Sequence, residues 1–168
     1  EGDTQRYKEL NRARTDFYRD MEFGAEHALP DLGKPIYPAS TGIGTEGNDV
    51  VMSCMALVSD RNDLSLVPLE NPQQTSAFDY GHQYGPESPK FARAMVVSAG
   101  ELATIFISGT ASITRSETQF IGDVEGQTRQ TLENIGALIG EDNLRRHGVS
   151  GLGATLEDLA LVRVYIKR

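Results

Sequence analysis

Phe106-Ile-Ser-Gly-Thr-Ala-Ser-Ile113, followed by Gly122-Asp-Val-Glu-Gly-Gln-Thr-Arg-Gln-Thr-Leu-Glu-Asn-Ile135, reads as strand, loop and helix. Residues 102–108 are a run that suits a pleated surface, broken by the small polar Ser108, Gly109 and Thr110. Gly122 and Asp123 open a helix with Val124, Gln127/Thr128, Thr131/Leu132, Ile135 and Leu138/Ile139 on one face. A strand that delivers Gly and Thr to a pocket edge, backed by a helix, is a common frame for a small-molecule site. On spacing alone the same residues also fit an ordinary turn.

Working outward, residues 91–99 and 102–108 read as a hairpin around Gly100-Glu101, where glycine supplies the positive φ of a tight turn. Arg93 falls inside the first of these strands. An arginine among small and apolar residues must reach solvent, a carboxylate or a ligand, and an internal salt bridge is one such outcome. On the carboxyl side, residues 141–147 read as a further helical turn or two closed by Gly148. Thr155-Leu-Glu-Asp158 has capping-box spacing, and residues 160–167 alternate as a closing strand.

Towards the amino terminus, residues 4–28 place Tyr7, Leu10, Phe17, Met21, Ala25 and Ala28 at helical spacing, and the helix is expected to end near Leu29-Pro30. Arg12, Arg14 and Arg19 are interspersed with acids and read as a solvated face; His27 lies in the last turn, where a cation suits the helix dipole. Residues 36–44 and 49–59 read as two strands joined through residues 45–48. Gly42-Ile-Gly-Thr-Glu-Gly47 formally fits G-x-G-x-x-G, but the run that follows is strand-like, and a dinucleotide site needs a helix there. Cys54 in the second strand reads as a small buried hydrophobe. Residues 60–88 are a long polar connection carrying Gln73, Gln74, Thr75, Ser76, Tyr80, His82 and Tyr84, neutral donors and acceptors on aromatic and amide bodies that suit either a small-molecule pocket or a surface loop with scattered aromatics.

Composition bounds the possibilities. One domain is the default for 168 residues. With 16 Lys and Arg against 24 Asp and Glu, the net charge of −8 opposes a nucleic-acid or anionic-membrane partner, and none is expected. A single cysteine excludes an internal disulfide and a multi-cysteine metal site and suits a reducing cytoplasm; no metal or other cofactor is expected. No long apolar run suggests a membrane span. The chain begins at Glu1 rather than Met, which is expected of a processed or excised piece.

Several short motifs in order carry a resemblance. The Ser-Gly-Thr strand end, the Gly-Asp before a helix bearing Gln-Thr and Glu-Asn, and Val162-Arg-Val-Tyr-Ile166 resemble the first half of a RidA/YjgF-type domain. Pro38-Ala-Ser-Thr-Gly-Ile-Gly44, Glu70-Asn-Pro-Gln-Gln-Thr-Ser-Ala77, Tyr84-Gly-Pro86 and Ser88-Pro-Lys-Phe-Ala-Arg-Ala94 resemble the chorismatase family. The resemblance implies an α/β (α+β), chorismate-mutase-like mixed sheet with two main helices on one face. Its elements would run in circularly permuted order within a single domain, 1–168, with helix and two strands in 4–59, a long loop in 60–90, and hairpin, helix and strand in 91–168. A junction between two RidA-like domains of a longer chorismatase fits the same order.

The resemblance also implies a small carboxylic-acid ligand and hydrolysis of chorismate to pyruvate and a ring acid. Arg93 and Arg115 would hold carboxylates, Tyr80 and Tyr84 the ring and its hydroxyl, and Ser108, Gly109 and Thr110 the pocket edge. A RidA-like binding or assembly module without chemistry is the alternative, and a homo-oligomer, a trimer by resemblance, is expected. Departures matter: Ser40 stands where imine-hydrolysing RidA proteins carry arginine, which argues against that activity. Glu87 and Thr114-Arg115 also differ from the chorismatase pattern, and the catalytic glutamate expected late in that family would lie beyond Arg168. Ribonuclease or translation-inhibitor roles, attributed to this superfamily, gain no support from the acidic balance.

Overall fold

The computed structural model describes residues 2–19, 36–44 and 50–166. They run α1 (Gly2–Tyr18), β1 (Leu64–Leu69), β2 (Ala94–Ala99), β3 (Leu102–Ile107), β4 (Ile113–Thr114), β5 (Glu117–Thr118), α2 (Val124–Ile139) and α3 (Glu141–Arg146), with 3-10 turns at Ala77–Asp79, His82–Tyr84 and Leu156–Asp158. The chain groups into two compact units: Glu1–Glu70 with Ser76–Gly109, and Asn71–Thr75 with Thr110–Arg168.

The first unit is built on an antiparallel sheet in the order β1-β2-β3. The β2–β3 hairpin is the expected one, and Gly100 at φ +59° makes its turn possible without steric cost. In register, Val67 faces Val96 and Leu69 faces Ala94, and all four side chains are buried. These alternate positions form the core face; burying a valine or leucine contributes about 1.5–3 kcal/mol. The strand β1 lies inside the stretch read as a loop. Pro68 obscured it, because proline removes a ladder donor; at the sheet edge that loss is tolerated.

Three expected strands are not formed among the described residues. Residues 36–44 contribute only a single parallel bridge, Ala39 to Ala92. Residues 50–59 and 160–166 have no regular secondary structure, and their apolar side chains are exposed, with Val51 at 91%, Val58 at 94% and Val164 at 76%. Cys54 is exposed as well, not buried. An alternating apolar run becomes a strand only where a neighbouring backbone completes its ladder, and no strand partner is recorded for these residues. The sheet is accordingly antiparallel rather than mixed. The expected continuation of α1 through residues 20–28, His27, and residues 45–49 lie outside the described residues.

Helix α1 turns inward a face one residue away from the expected stripe. Asn11 is buried at 3% exposure, whereas Phe17 is exposed at 63%. Thr15 Oγ1 donates to the Asn11 carbonyl at 2.9 Å, the back-bonding that lets a threonine sit inside a helix.

In the second unit, Asp123 caps α2 by accepting from the Gly126 amide at 3.0 Å, one of the orphan donors of a helix start. The buried residues of α2 are Asn134, Leu138 and Ile139, so Val124 and Leu132, expected on the inner face, lie outside it at 60% and 40% exposure. Asn134 is wholly buried, and its amide donates to the carbonyls of Ala111 at 3.0 Å and Ile113 at 2.9 Å. Its Oδ1 accepts from Gln130 at 3.2 Å, and its own carbonyl accepts from Asn71 Nδ2 at 2.8 Å. Asn143 Nδ2 donates to the Leu138 carbonyl at 2.8 Å, and Gly148 at φ +82° ends α3 as expected. Thr155 and Asp158 close a capping box, and the hydrogen bonds from the Thr155 backbone and hydroxyl hold the Asp158 carboxyl below its ordinary range.

Asn134→Leu removes one donor from each of two loop carbonyls, Ala111 keeping the Ile113 amide and Ile113 keeping Gln74 Nε2, so the cost is that of two net hydrogen bonds, about 1 kcal/mol each. We expect a loss of at least about 2 kcal/mol in urea unfolding, against about 1 kcal/mol for Asp123→Ala. An Asn134→Leu protein as stable as its parent would refute the structural role given to that amide.

Candidate functional site

The strand end that the sequence singles out is fixed by a serine. Ser108 is buried at 4% exposure; its hydroxyl donates to the Ala92 carbonyl and accepts from the Ser40 amide at 2.9 Å. Its own amide donates to the Arg93 carbonyl at 3.0 Å. One side chain thus ties residues 38–41 to the end of the sheet, with the Ala92 amide donating to the Pro38 carbonyl at 3.2 Å and the Gly109 amide to Thr41 Oγ1 at 2.8 Å. Gly109 has a packing reason to be glycine: a Cβ there would stand 2.7 Å from Thr41 Cγ2.

Beside this edge Arg93 is buried at 4% exposure, one residue before β2. Its guanidinium lies 5.3 Å from the Phe91 ring centroid and 5.7 Å from that of Tyr80, and Nη2 donates to the Tyr80 hydroxyl at 2.8 Å. Two of the expected ligand residues, Arg93 and Tyr80, therefore meet directly, with Ser108 on the Arg93 backbone. Tyr37 packs between Tyr18 and Phe78, with centroids at 5.9 and 5.6 Å, and burial raises its phenol above the ordinary value. Tyr84 lies in the 3-10 turn His82–Tyr84.

The same edge opens a cleft of about 90 Å³ lined by Tyr7, Leu10, Arg14, Ser40, Gly42, Phe91 and Gly109. Arg14 Nη1 donates to Ser40 Oγ at 3.0 Å and Nη2 to Asn11 Oδ1 at 3.0 Å. Ser40 itself brings no charge, but a guanidinium from α1 stands against its hydroxyl. Arg14 was missed in the sequence because it reads as one more surface charge. A signal was present: Tyr7, Leu10, Arg14, Phe17 and Met21 follow one stripe at helical spacing, and Arg14 is its charged member.

Thr110 and Arg115 belong to the second unit. Gln74 Nε2 donates to Thr110 Oγ1 at 3.3 Å and to the Ile113 carbonyl at 3.0 Å, and the Gln74 Oε1 is buried without a hydrogen-bond partner. Arg115 occupies the tip of the β4–β5 hairpin at φ +56°, a conformation that usually selects glycine or asparagine. Its exposed side chain contrasts with its backbone, which accepts from the Thr75 amide at 2.9 Å and donates to the Gln73 carbonyl at 2.7 Å. Ser116 Oγ donates to Thr75 Oγ1 at 2.9 Å. Among the described residues no group of three or more His, Cys, Asp or Glu side chains could hold a metal ion, and no helix is long and apolar enough to cross a membrane.

No protein-family model matches the chain. It is 38% identical over 157 residues to a 3-hydroxybenzoate synthase of Streptomyces hygroscopicus, covering 90% of this chain and 45% of that protein. A chorismatase of the same organism is 39% identical over 153 residues, covering 90% and 43%, and a chorismatase of Streptomyces rapamycinicus is 37% identical over 154 residues, covering 89% and 45%. A chorismatase crystal structure aligns with TM-score 0.53 and 43% identity over 55% of this chain and 28% of that one. The α/β arrangement of helices and small antiparallel sheets is similar to that structure, and the chain spans less than half the length of the curated relatives it matches.

Ser108→Ala removes the acceptor of the Ser40 amide and the donor to Ala92 together. Amide hydrogen exchange at Ser40 is expected to quicken about tenfold or more, while that of the β1–β2 ladder changes little. Unchanged exchange at Ser40 would show that the segment is held by something else.

Proposed function

We propose that this chain binds a chorismate-like ring acid at the Ser108-Gly109 edge and takes part in its hydrolysis to pyruvate and a ring acid. The observation that carries the reading is the buried Arg93–Tyr80 pair at this edge, in a chain 37–39% identical to chorismatases and a 3-hydroxybenzoate synthase over about nine-tenths of its length. Arginine matches a carboxylate with paired donors, and its burial makes each charged hydrogen bond count for more. Tyr80 and Tyr84 offer flat apolar bodies with polar tips for the ring and its hydroxyl.

The chemistry is hydrolysis of an enol ether. An acid protonates the terminal vinyl carbon, water adds to the carbon bearing the ether oxygen, and the resulting hemiketal collapses, with the proton passing to the departing ring oxygen and pyruvate released. Arg93 would hold a carboxylate while this occurs. We read the hairpin-then-helix order as RidA-like and the working assembly as a homo-oligomer.

Calorimetry with chorismate and hydroxybenzoates tests the binding, and pyruvate release tests turnover. A charged hydrogen bond contributes roughly 1.5–3 kcal/mol, so Arg93→Ala should weaken binding about tenfold or more. Binding without pyruvate release would assign a non-catalytic module. Absence of binding by every ring acid would overturn the proposal.

A further inference from the structure

Arg14 is a cation held by neutral partners. Its hydrogen bonds go to Ser40 Oγ and Asn11 Oδ1, and its guanidinium carbon lies 6.0 Å from the centroid of the Phe91 ring. Its Nε–H is buried with no acceptor. A guanidinium has five donors, and two are engaged here. A half-buried cation short of acceptors and without a carboxylate partner among the described residues favours an anion arriving from outside.

The surroundings narrow the anion. Tyr7, Leu10 and Phe91 give the cleft apolar walls, Ser40 adds a hydroxyl, and Gly42 and Gly109 leave backbone within reach. The cleft volume is about 90 Å³. Apolar walls around one cation select a short organic acid over a fully hydrated inorganic anion.

We propose that Arg14, with Ser40, forms a subsite for the carboxylate end of a small organic acid, either as a separate acid or as the side arm of a larger ligand. The existence of the cleft is independent of the ring-acid reading; the identification of the acid as part of that ligand rests on it. Arg14 thereby becomes a specificity residue for the short acid arm.

The full chain is titrated with pyruvate, with pyruvamide as the uncharged control, while the Arg14 side-chain Nε–H resonance and the Phe91 ring resonances are followed by NMR. Pyruvate should shift both saturably and pyruvamide should not. Arg14→Gln should weaken pyruvate about tenfold or more with the melting temperature retained, and Arg14→Lys should recover part of the loss. If saturating pyruvate leaves the Arg14 resonance unmoved in the parent, the subsite does not exist, whatever the variants do. If Arg14→Gln binds pyruvate as the parent does, the assignment is overturned. Chorismate binding that needs Arg93 but is indifferent to Arg14→Gln would overturn the side-arm assignment and keep the ring-acid reading. A pyruvate response at Arg14 with no ring acid bound anywhere would keep the subsite and remove that reading.

Discussion

The Ser108 hydroxyl is the constraint on which the candidate site depends. It donates to Ala92 on one side and accepts from Ser40 on the other, so it fixes residues 38–41, which have almost no ladder of their own, at the end of the sheet. A buried hydroxyl with both donor and acceptor used is stable where a half-used one would not be. From that fixation follow the close approach of Gly109 to Thr41, the position of Ser40 under Arg14, and the cleft between α1 and Phe91. The local architecture is polar at its centre, and the apolar core of β1 and β2 serves as its support.

The second unit uses the same device with an amide. Asn134 shapes the loop after Thr110 by holding two carbonyls, and Gln74 and the backbone of Arg115 fix the neighbouring connection. Buried polar side chains specify loop conformation more sharply than apolar packing, because each misplacement leaves a donor or acceptor unmet. Loops so held are suited to carrying ligand groups on a rigid support.

Much of this was legible in the sequence where local chemistry decides the outcome. Gly100 announced the β2–β3 turn, Asp123 the start of α2, Gly148 the end of α3 and Thr155 with Asp158 the capping box, each through a short-range rule. The Ser-Gly-Thr strand end was legible through local chemistry; Arg93 and Tyr80 were singled out through the resemblance, but their contact with each other was not. What was not legible depends on partners distant in sequence. Residues 50–59 and 160–166 have the alternation of strands, but alternation does not supply the neighbour that makes a ladder. Strand β1 was hidden by Pro68, whose edge position cannot be known before the sheet order. Arg14 was hidden because a charge on a helix is ordinarily solvated, and only the position of Ser40, set by Ser108, turns it towards a cleft.

The central claim is that the edge fixed by Ser108 receives a carboxylic acid. A crystal structure of the full chain grown with a hydroxybenzoate or chorismate tests it most directly. The account predicts the acid in contact with Gly109, with an arginine guanidinium on its carboxylate and a tyrosine against its ring. An acid bound at a surface that includes neither Gly109 nor Arg14 nor Arg93 would contradict it.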